Sequence, residues 1–265
     1  MRSEGMASTT LYKGDCLELM KNIPDGSVDM ILCDLPYGTT DCAWDSVIPV
    51  SPLWEQYNRI IKPNGAICLF GSEPFSSALR ISNIKHFKYD WIWRKNRPSG
   101  FQHAKNAPMK NHEIISIFSN GSMGHKSLLG DKRMIYNPQG INFCGKYTKA
   151  SKNKFGNIVG KRPSHKEITF QEYTGYPKSV LDFDVSEEHF HPTQKPVPLL
   201  EYLIRTYTTE GETVLDNCMG SGSTGVACMN TNRNFIGIEL DENYFNIAKQ
   251  RIEEAEKAVN IFEDF

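Results

Sequence analysis

The sequence predicts an α/β fold: a mainly parallel sheet with helices on both faces and one long insertion. Three observations carry that prediction. Short, continuous apolar runs such as Met30–Cys33 and Ala66–Phe70 alternate with segments whose apolar residues recur at helical spacing, an alternation that builds parallel sheets buried on both sides. A strand, a glycine-rich loop and a helix follow one another between Thr213 and Asn230, and in such units the backbone approaches a ligand closely. Between residues 119 and 190 both periodicities vanish, and Gly, Lys, Asn and Tyr dominate.

Thr9–Lys13 reads as a short strand ended by Gly14-Asp15, and a helix beginning at Cys16 stops near the turn triplet Pro24-Asp25-Gly26. Val28–Cys33 is the next strand, followed by Asp34-Leu35-Pro36-Tyr37 and a loop that contains Trp44. Leu53, Trp54, Tyr57, Ile60 and Ile61 mark a helix from about Pro52. Lys62-Pro63-Asn64-Gly65 ends it before the strand Ala66–Phe70. Pro74 opens a helix to about Ile81, and strands follow at Asp90–Arg94 and Glu113–Phe118. The alternating Phe87, Tyr89, Trp91 and Trp93 read as core, while Lys95–Lys110 is basic and aperiodic.

Residues 119–190 read as an inserted recognition region or a long mobile loop, with some local structure expected because a structureless stretch of that length is unusual in a compact domain. Beyond it, Val197, Leu199, Leu200, Leu203 and Ile204 define a helix from Pro196 to Tyr207. Strands at Thr213–Leu215 and Asn234–Ile238 flank the helix Ser223–Asn230, and a last helix runs from Asp241 to about Val259. Residues 9–118 and 191–259 are therefore expected to be two halves of one domain, with 119–190 inserted between them.

A chain of 265 residues suits one large α/β domain carrying an insertion. No apolar run approaches the roughly 18 residues of a membrane span, and the first residues lack a signal-peptide core. Seven cysteines without a C-x-x-C pair argue against a disulfide framework and against a zinc site. They read as reduced thiols of a cytoplasmic protein, and no metal is expected. The net charge of −1 hides an asymmetry: residues 85–178 hold 18 Lys and Arg against 5 Asp and Glu, about +13, which leaves about −14 for the rest. A basic middle between acidic flanks predicts a face for a polyanion; solvated lysine-rich loops are the plainer reading.

Asp34-Leu35-Pro36-Tyr37 sets an acid beside a backbone carbonyl at the end of a buried strand. The proline restricts Leu35 to an extended conformation, so that carbonyl is aimed. Acid and carbonyl together accept two N–H groups from one amine, and the tyrosine ring offers a surface for a flat heterocycle. An ordinary turn at a strand end is the alternative. At the far end of the chain, Gly220, Gly222 and Gly225 satisfy G-x-G-x-x-G, and Glu239 stands 19 residues past Gly220 at the end of the next strand, placed to accept ribose hydroxyls. The ligand is a dinucleotide or S-adenosylmethionine. Asp216 occupies the strand end, three residues before Gly220. An acid there repels a pyrophosphate but suits the ammonium of a methionine moiety, which favours S-adenosylmethionine.

With these residues in view, the chain resembles site-specific DNA methyltransferases of the N6-adenine/N4-cytosine family. Asp34-Leu35-Pro36-Tyr37 is similar to the family's D-P-P-Y motif, Asp216 to Gly225 to its cofactor loop, Phe235 to Glu239 to its ribose-binding strand, and His191-Pro192-Thr193-Gln194-Lys195-Pro196 to its H-P-T-Q-K-P stretch. The order, catalytic motif first and cofactor motif last, resembles the β group. The resemblance spans Tyr12 to Glu254 apart from about 119–190, where family members differ and the target sequence is chosen. It implies a Rossmann-like S-adenosylmethionine-dependent methyltransferase sheet. One departure stands out: Leu35 replaces the usual proline, which keeps the carbonyl and puts loop rigidity in doubt.

What the resemblance implies for single residues is as follows. Asp34, Leu35, Pro36 and Tyr37 are catalytic, with the base flipped from the duplex onto Tyr37. Asp15, His191, Thr193, Lys195, Asp216, Cys218, Gly220, Gly222 and Glu239 belong to the cofactor, although Asp15 fits a turn acid nearly as well, His191 a loop-fixing role, and Asp216 and Glu239 strand-end caps. Trp44 lines the target pocket or simply packs. Apart from the resemblance, Lys95, Arg97, Lys105 and Lys110 of the basic stretch are expected either at DNA phosphates or as solvated charges. Double-stranded DNA is the implied partner; a homodimer and a separate restriction endonuclease are compatible with the resemblance and stay open. Adenine is favoured over cytosine because Asp stands at position 34, where Ser is frequent in cytosine enzymes. A DNA-binding protein with a vestigial cofactor pocket is the rival of another class.

Overall fold

The computed structural model describes residues 7–38, 47–124, 129–149, 168–185 and 194–263. In chain order its regular elements are β1 (Thr9–Lys13), α1 (Cys16–Leu19), β2 (Val28–Cys33), α2 (Val50–Ile60), β3 (Ile61–Gly71), α3 (Phe75–Ser82), β4 (Phe87–Ser99), β5 (Lys110–Phe118), β6 (Asn142–Lys149), β7 (Ile168–Thr174), β8 (Val180–Asp182), α4 (Val197–Tyr207), β9 (Thr213–Asp216), α5 (Ser223–Asn230), β10 (Asn234–Glu239) and α6 (Glu242–Glu263).

Eight strands form one sheet in the order β1-β10-β9-β2-β3-β5-β4-β8. Neighbours pair in parallel except at β5, which is antiparallel to both β3 and β4. The mainly parallel sheet expected from the sequence is therefore present. β2 shows why it must be covered twice: every residue from Val28 to Cys33 is buried. Met30 and Leu32 pack on one face with Leu199, Leu203, Tyr207, Ala227 and Ile252, whereas Ile31 and Cys33 pack on the other with Met20, Leu53, Tyr57 and Leu79. Successive side chains of a strand point to opposite faces, so helices α4 to α6 cover one side and α1 to α3 the other. The one acid within β2, Asp29, is buried but satisfied: it accepts from Lys62 Nζ at 2.6 Å and from the Thr213 amide at 3.0 Å.

The elements differ from the sequence expectations in three places. The first helix is one α turn followed by a 3₁₀ turn at Met20–Asn22, because Pro24 and Gly26 follow so closely. The basic stretch after Arg94 is not a loop throughout. β4 continues to Ser99 and β5 begins at Lys110, with Arg94 opposite His112 and Ser99 opposite Lys110, so polar side chains conceal an antiparallel pair. β3 starts at Ile61, directly after α2.

The described residues divide into two compact units, one within 138–178 and the other within 1–137 and 179–265. Within the first, β6 and β7 pair as an antiparallel hairpin. Phe143, Tyr147, Ile168 and Phe170 are exposed, with the Tyr147 and Phe170 rings 5.0 Å apart. The rest of the described part of 119–185 belongs to the larger unit, where Met134 is buried and β8 adds an edge strand beside β4.

Candidate active site

Parallel strands deliver their carboxyl ends to one edge of the sheet. β9 leads through α5 to β10 on one side, and β2 leads through α2 to β3 on the other, so the chain reverses its direction of travel between β9 and β2. Ligands of open α/β sheets bind at such a point. Asp15 follows β1, Asp34 follows β2, Asp216 ends β9 and Glu239 ends β10. All four line a single cavity of about 330 Å³, together with Leu35, Pro36, Tyr37, Lys195, Cys218, Gly220 and Glu113.

At the end of β2 the Tyr37 hydroxyl donates to Asp34 Oδ1 at 2.6 Å. Burial first, and then the adjacent Asp34 carboxylate, push the Tyr37 phenol up, so it stays a donor. The Tyr37 ring lies 4.8 Å from that of Phe75 at 32°. Leu35 is buried within the α2-side core. Its side chain anchors the loop by burial, about 2 kcal/mol for a leucine, where the family's proline relies on a fixed φ. Asp34 Oδ2 accepts from the Lys195 ammonium, which also lies 3.4 Å from Glu113 Oε2.

In the glycine loop, Gly220 (φ +49°) and Gly222 (φ +80°) adopt left-handed conformations that favour glycine. A Cβ on Gly222 would also fall 2.8 Å from Ala248, so this glycine serves the contact of α5 with α6. Arg251 of α6 holds the loop from outside, donating to the Ser221 carbonyl at 2.5 Å. Glu239 accepts the Gly220 amide at 2.8 Å through Oε2 and the Asp241 amide at 2.8 Å through Oε1. Each oxygen keeps a second lone pair for a ribose hydroxyl. Asp216 accepts from Thr224 Oγ1 at 2.6 Å and from the Cys218 amide at 3.1 Å. Burial pushes its carboxyl up to about 6, a state that a ligand cation would reverse. Asp15 caps α1 by accepting the Leu17 and Glu18 amides at 2.8 and 3.1 Å. Cys16, Cys33 and Cys218 are free thiols, and Cys218 Sγ accepts from Asn217 Nδ2 at 3.4 Å.

The structure thus brings together Asp15, Asp34, Leu35, Pro36, Tyr37, Lys195, Asp216, Cys218, Gly220 and Glu239. Gly222 sits behind the loop, against α6. Trp44, His191 and Thr193 lie outside the described residues. Arg97 and Lys105 are exposed and Lys110 is half-buried. Lys95 is different: its ammonium pairs with Glu113 and lies 4.8 Å from the centre of the Trp93 ring. Sequence reasoning missed Glu113, as well as Tyr57, whose hydroxyl donates to Asn217 Oδ1 at 2.5 Å behind the loop. Glu113 left one trace, an acid opening an apolar strand within a strongly basic segment.

The sequence profile of a DNA methylase family, N6_N4_Mtase, matches residues 28–250. The chain belongs to this DNA methylase family. Curated relatives include the Type II methyltransferase M.HpaI of Haemophilus parainfluenzae, 27% identical over 92% of this chain and 74% of that protein. A second is the Type II methyltransferase M.HinfI of Haemophilus influenzae, 27% identical over 96% of this chain and 71% of that protein. Among solved structures, the M1.HpyAVI–SAM complex superposes with a TM-score of 0.60 at 25% identity, covering 92% of this chain and 99% of that one. The cytosine-N4-specific PvuII DNA methyltransferase shares the fold at a TM-score of 0.65 and 15% identity, covering 96% of this chain and 92% of that one. The cavity of this methylase fits S-adenosylmethionine: a buried acid suits an ammonium, the glycine loop lets a ligand approach the backbone, and a strand-end glutamate suits a ribose.

Proposed function

We propose that this methylase transfers a methyl group from S-adenosylmethionine to the exocyclic N6 amine of an adenine flipped out of double-stranded DNA. The observation that carries the reading is the shared cavity: the Asp34–Tyr37 end of β2 and the Asp216–Gly220 loop after β9 open into one space. S-adenosylmethionine, when bound, supplies a sulfonium methyl whose carbon–sulfur bond breaks as the amine nitrogen takes the carbon. Everything else falls to this chain. Asp216, Gly220 and Glu239 hold the cofactor. Asp34 and the Leu35 carbonyl accept the two amine N–H groups, which favours a pyramidal nitrogen and frees a lone pair otherwise delocalised into the ring. One amine proton then leaves to Asp34 or to water. Positioning two bound reactants supplies much of the acceleration.

A base inside a duplex cannot reach Asp34, so it must be extruded; the Tyr37 ring, backed by Phe75, is the surface on which it rests. Arg97, Lys105 and Lys110 meet phosphates and position the duplex without reading it. Residues 119–190, including the β6–β7 hairpin, select the target sequence. The Type II relatives support a role as the modification partner of a separate restriction endonuclease. Cytosine N4 is the second acceptor to weigh, since PvuII methyltransferase is cytosine-N4-specific on the same fold; Asp at position 34 favours adenine.

The test is transfer of labelled methyl groups to unmethylated duplex DNA of diverse sequence, followed by digestion to nucleosides and mass analysis. N6-methyladenine, absent with Asp34→Ala, is the expected product. N4-methylcytosine would overturn the choice of base, and no methylated nucleoside despite cofactor binding would overturn DNA as the acceptor.

A further inference from the structure

Asp34 does not stand alone at the end of β2. Its Oδ1 accepts from the Tyr37 hydroxyl and its Oδ2 from the ammonium of Lys195, a residue 161 positions later that immediately precedes Pro196 and α4. Lys195 is buried, its ammonium 5.1 Å from the centre of the Phe70 ring. On its other side, 3.4 Å away, is Glu113 Oε2 of β5, and Glu113 Oε1 is paired with Lys95 of β4. Charges therefore alternate through Asp34, Lys195, Glu113 and Lys95.

That alternation explains how an ammonium persists in an apolar setting, where an unpaired charge is strongly disfavoured. Burial alone would push Lys195 down, but Asp34 and Glu113 outweigh it and hold the ammonium above its ordinary value. Burial likewise opposes the charged form of Glu113, and Lys195 and Lys95 outweigh it, holding that carboxyl below the usual range. Held from two sides, the ammonium is a fixed point. The terminal torsion of an aspartate is otherwise broad; here one oxygen is tied to Lys195 and the other to Tyr37. A carboxylate offers about four lone-pair sites, so acceptor capacity remains for an incoming amine.

We propose that Lys195, anchored by Glu113, is the positioning residue that fixes the Asp34 carboxylate for the target amine, rather than a ligand of the cofactor. This rests on the reading of Asp34 as the acceptor of that amine. It separates Lys195 from the glycine loop, although both line the same cavity, and gives Glu113 and Lys95 a part in the reaction without contact with either reactant.

The experiment measures two quantities on the full chain: the S-adenosylmethionine dissociation constant, and the single-turnover methyl-transfer rate at saturating cofactor on unmethylated duplex DNA of diverse sequence. Lys195→Met is expected to leave the dissociation constant within about twofold and to lower the rate about 100-fold, the scale of a 1 Å misplacement. Glu113→Gln is expected to lower the rate about tenfold and to cost nothing further in the Lys195→Met background, because the two act through one contact. A Lys195→Met protein that binds cofactor far more weakly yet turns over at the wild-type rate when saturated overturns the proposal. So does Glu113→Gln at the wild-type rate, a result that can be read even where Lys195→Met does not fold. Asp34→Ala, run in parallel, keeps the two readings apart: retained transfer there removes the functional reading itself, while lost transfer leaves it standing whatever the Lys195 and Glu113 variants show.

Discussion

The cavity end of the sheet and the β6–β7 hairpin satisfy their side chains in opposite ways. Around the cavity, β2 is buried along its whole length and the acids at the ends of β2, β9 and β10 each have an identified partner. In the hairpin, most residues of β6 and β7 are exposed, and the aromatic pairs Phe143–Tyr173 and Tyr147–Phe170 meet edge-on and tilted, with ring centres 5.9 and 5.0 Å apart. A two-stranded hairpin buries little by itself, so its sequence is not constrained by a core. On the proposed function, chemistry and recognition are then under separate constraints: a change at the cavity is expected to register in the reaction, a change in the hairpin in DNA affinity.

The largest effect tests the cavity. Asp34→Ala should lower the transfer rate by about 10³- to 10⁴-fold while the cofactor still binds, as read by single turnover and by titration. Equal loss of cofactor binding would mean that Asp34 holds the fold of the cavity instead. The hairpin is tested by Tyr147→Ala combined with Phe170→Ala. DNA affinity should fall about 10- to 100-fold, with the melting temperature and cofactor affinity unchanged; a large drop in melting temperature would show that these rings belong to a core after all.

A smaller effect comes from pH. A cofactor ammonium needs Asp216 ionised, and burial raises this carboxyl to about 6. Cofactor affinity should therefore be flat above pH 7 and fall about tenfold per pH unit well below 6, and Asp216→Asn should abolish the slope. The sign for folding is the reverse. A carboxyl raised in the folded state favours folding fully below its unfolded value, and that contribution is lost as pH rises through about 6. Without cofactor, the Asp216 contribution to stability is thus greater at pH 5 than at pH 8. The smallest effect is that of Tyr37→Phe. It keeps the ring and removes one hydrogen bond to Asp34, and a net 0.5–1.5 kcal/mol corresponds to a rate loss of about two- to tenfold. A loss as large as that of Asp34→Ala would make the hydroxyl a direct participant.

Much of the site was legible because its parts are local. Asp34 to Tyr37 and Asp216 to Gly225 are each contiguous, and a turn proline, glycines and strand-end acids announce themselves by spacing. Lys195 shows where spacing ends. Its stretch pointed toward the cofactor, yet its ammonium meets a carboxylate 161 residues away and a second one on β5. Lys95 read as a phosphate contact because it opens a basic segment; the structure turns it onto Glu113 and Trp93, since β4 continues past Arg94 and carries it beside β5. The departure at Leu35 looked like a loss of rigidity, and the structure supplies a buried side chain in place of a ring.

By itself the sequence determined most strands and helices outside residues 119–190, the two contiguous motifs and the basic middle, because propensity, periodicity and turn chemistry act over a few residues. Only the tertiary structure decided that β2 and β9, whose paired residues are 184 positions apart, lie side by side and point Asp34 and Asp216 into one cavity. It alone threaded Lys195 between Asp34 and Glu113. Ion pairs act through a few ångströms of space, and no sequence spacing records which distant residues share that space once a sheet has assembled.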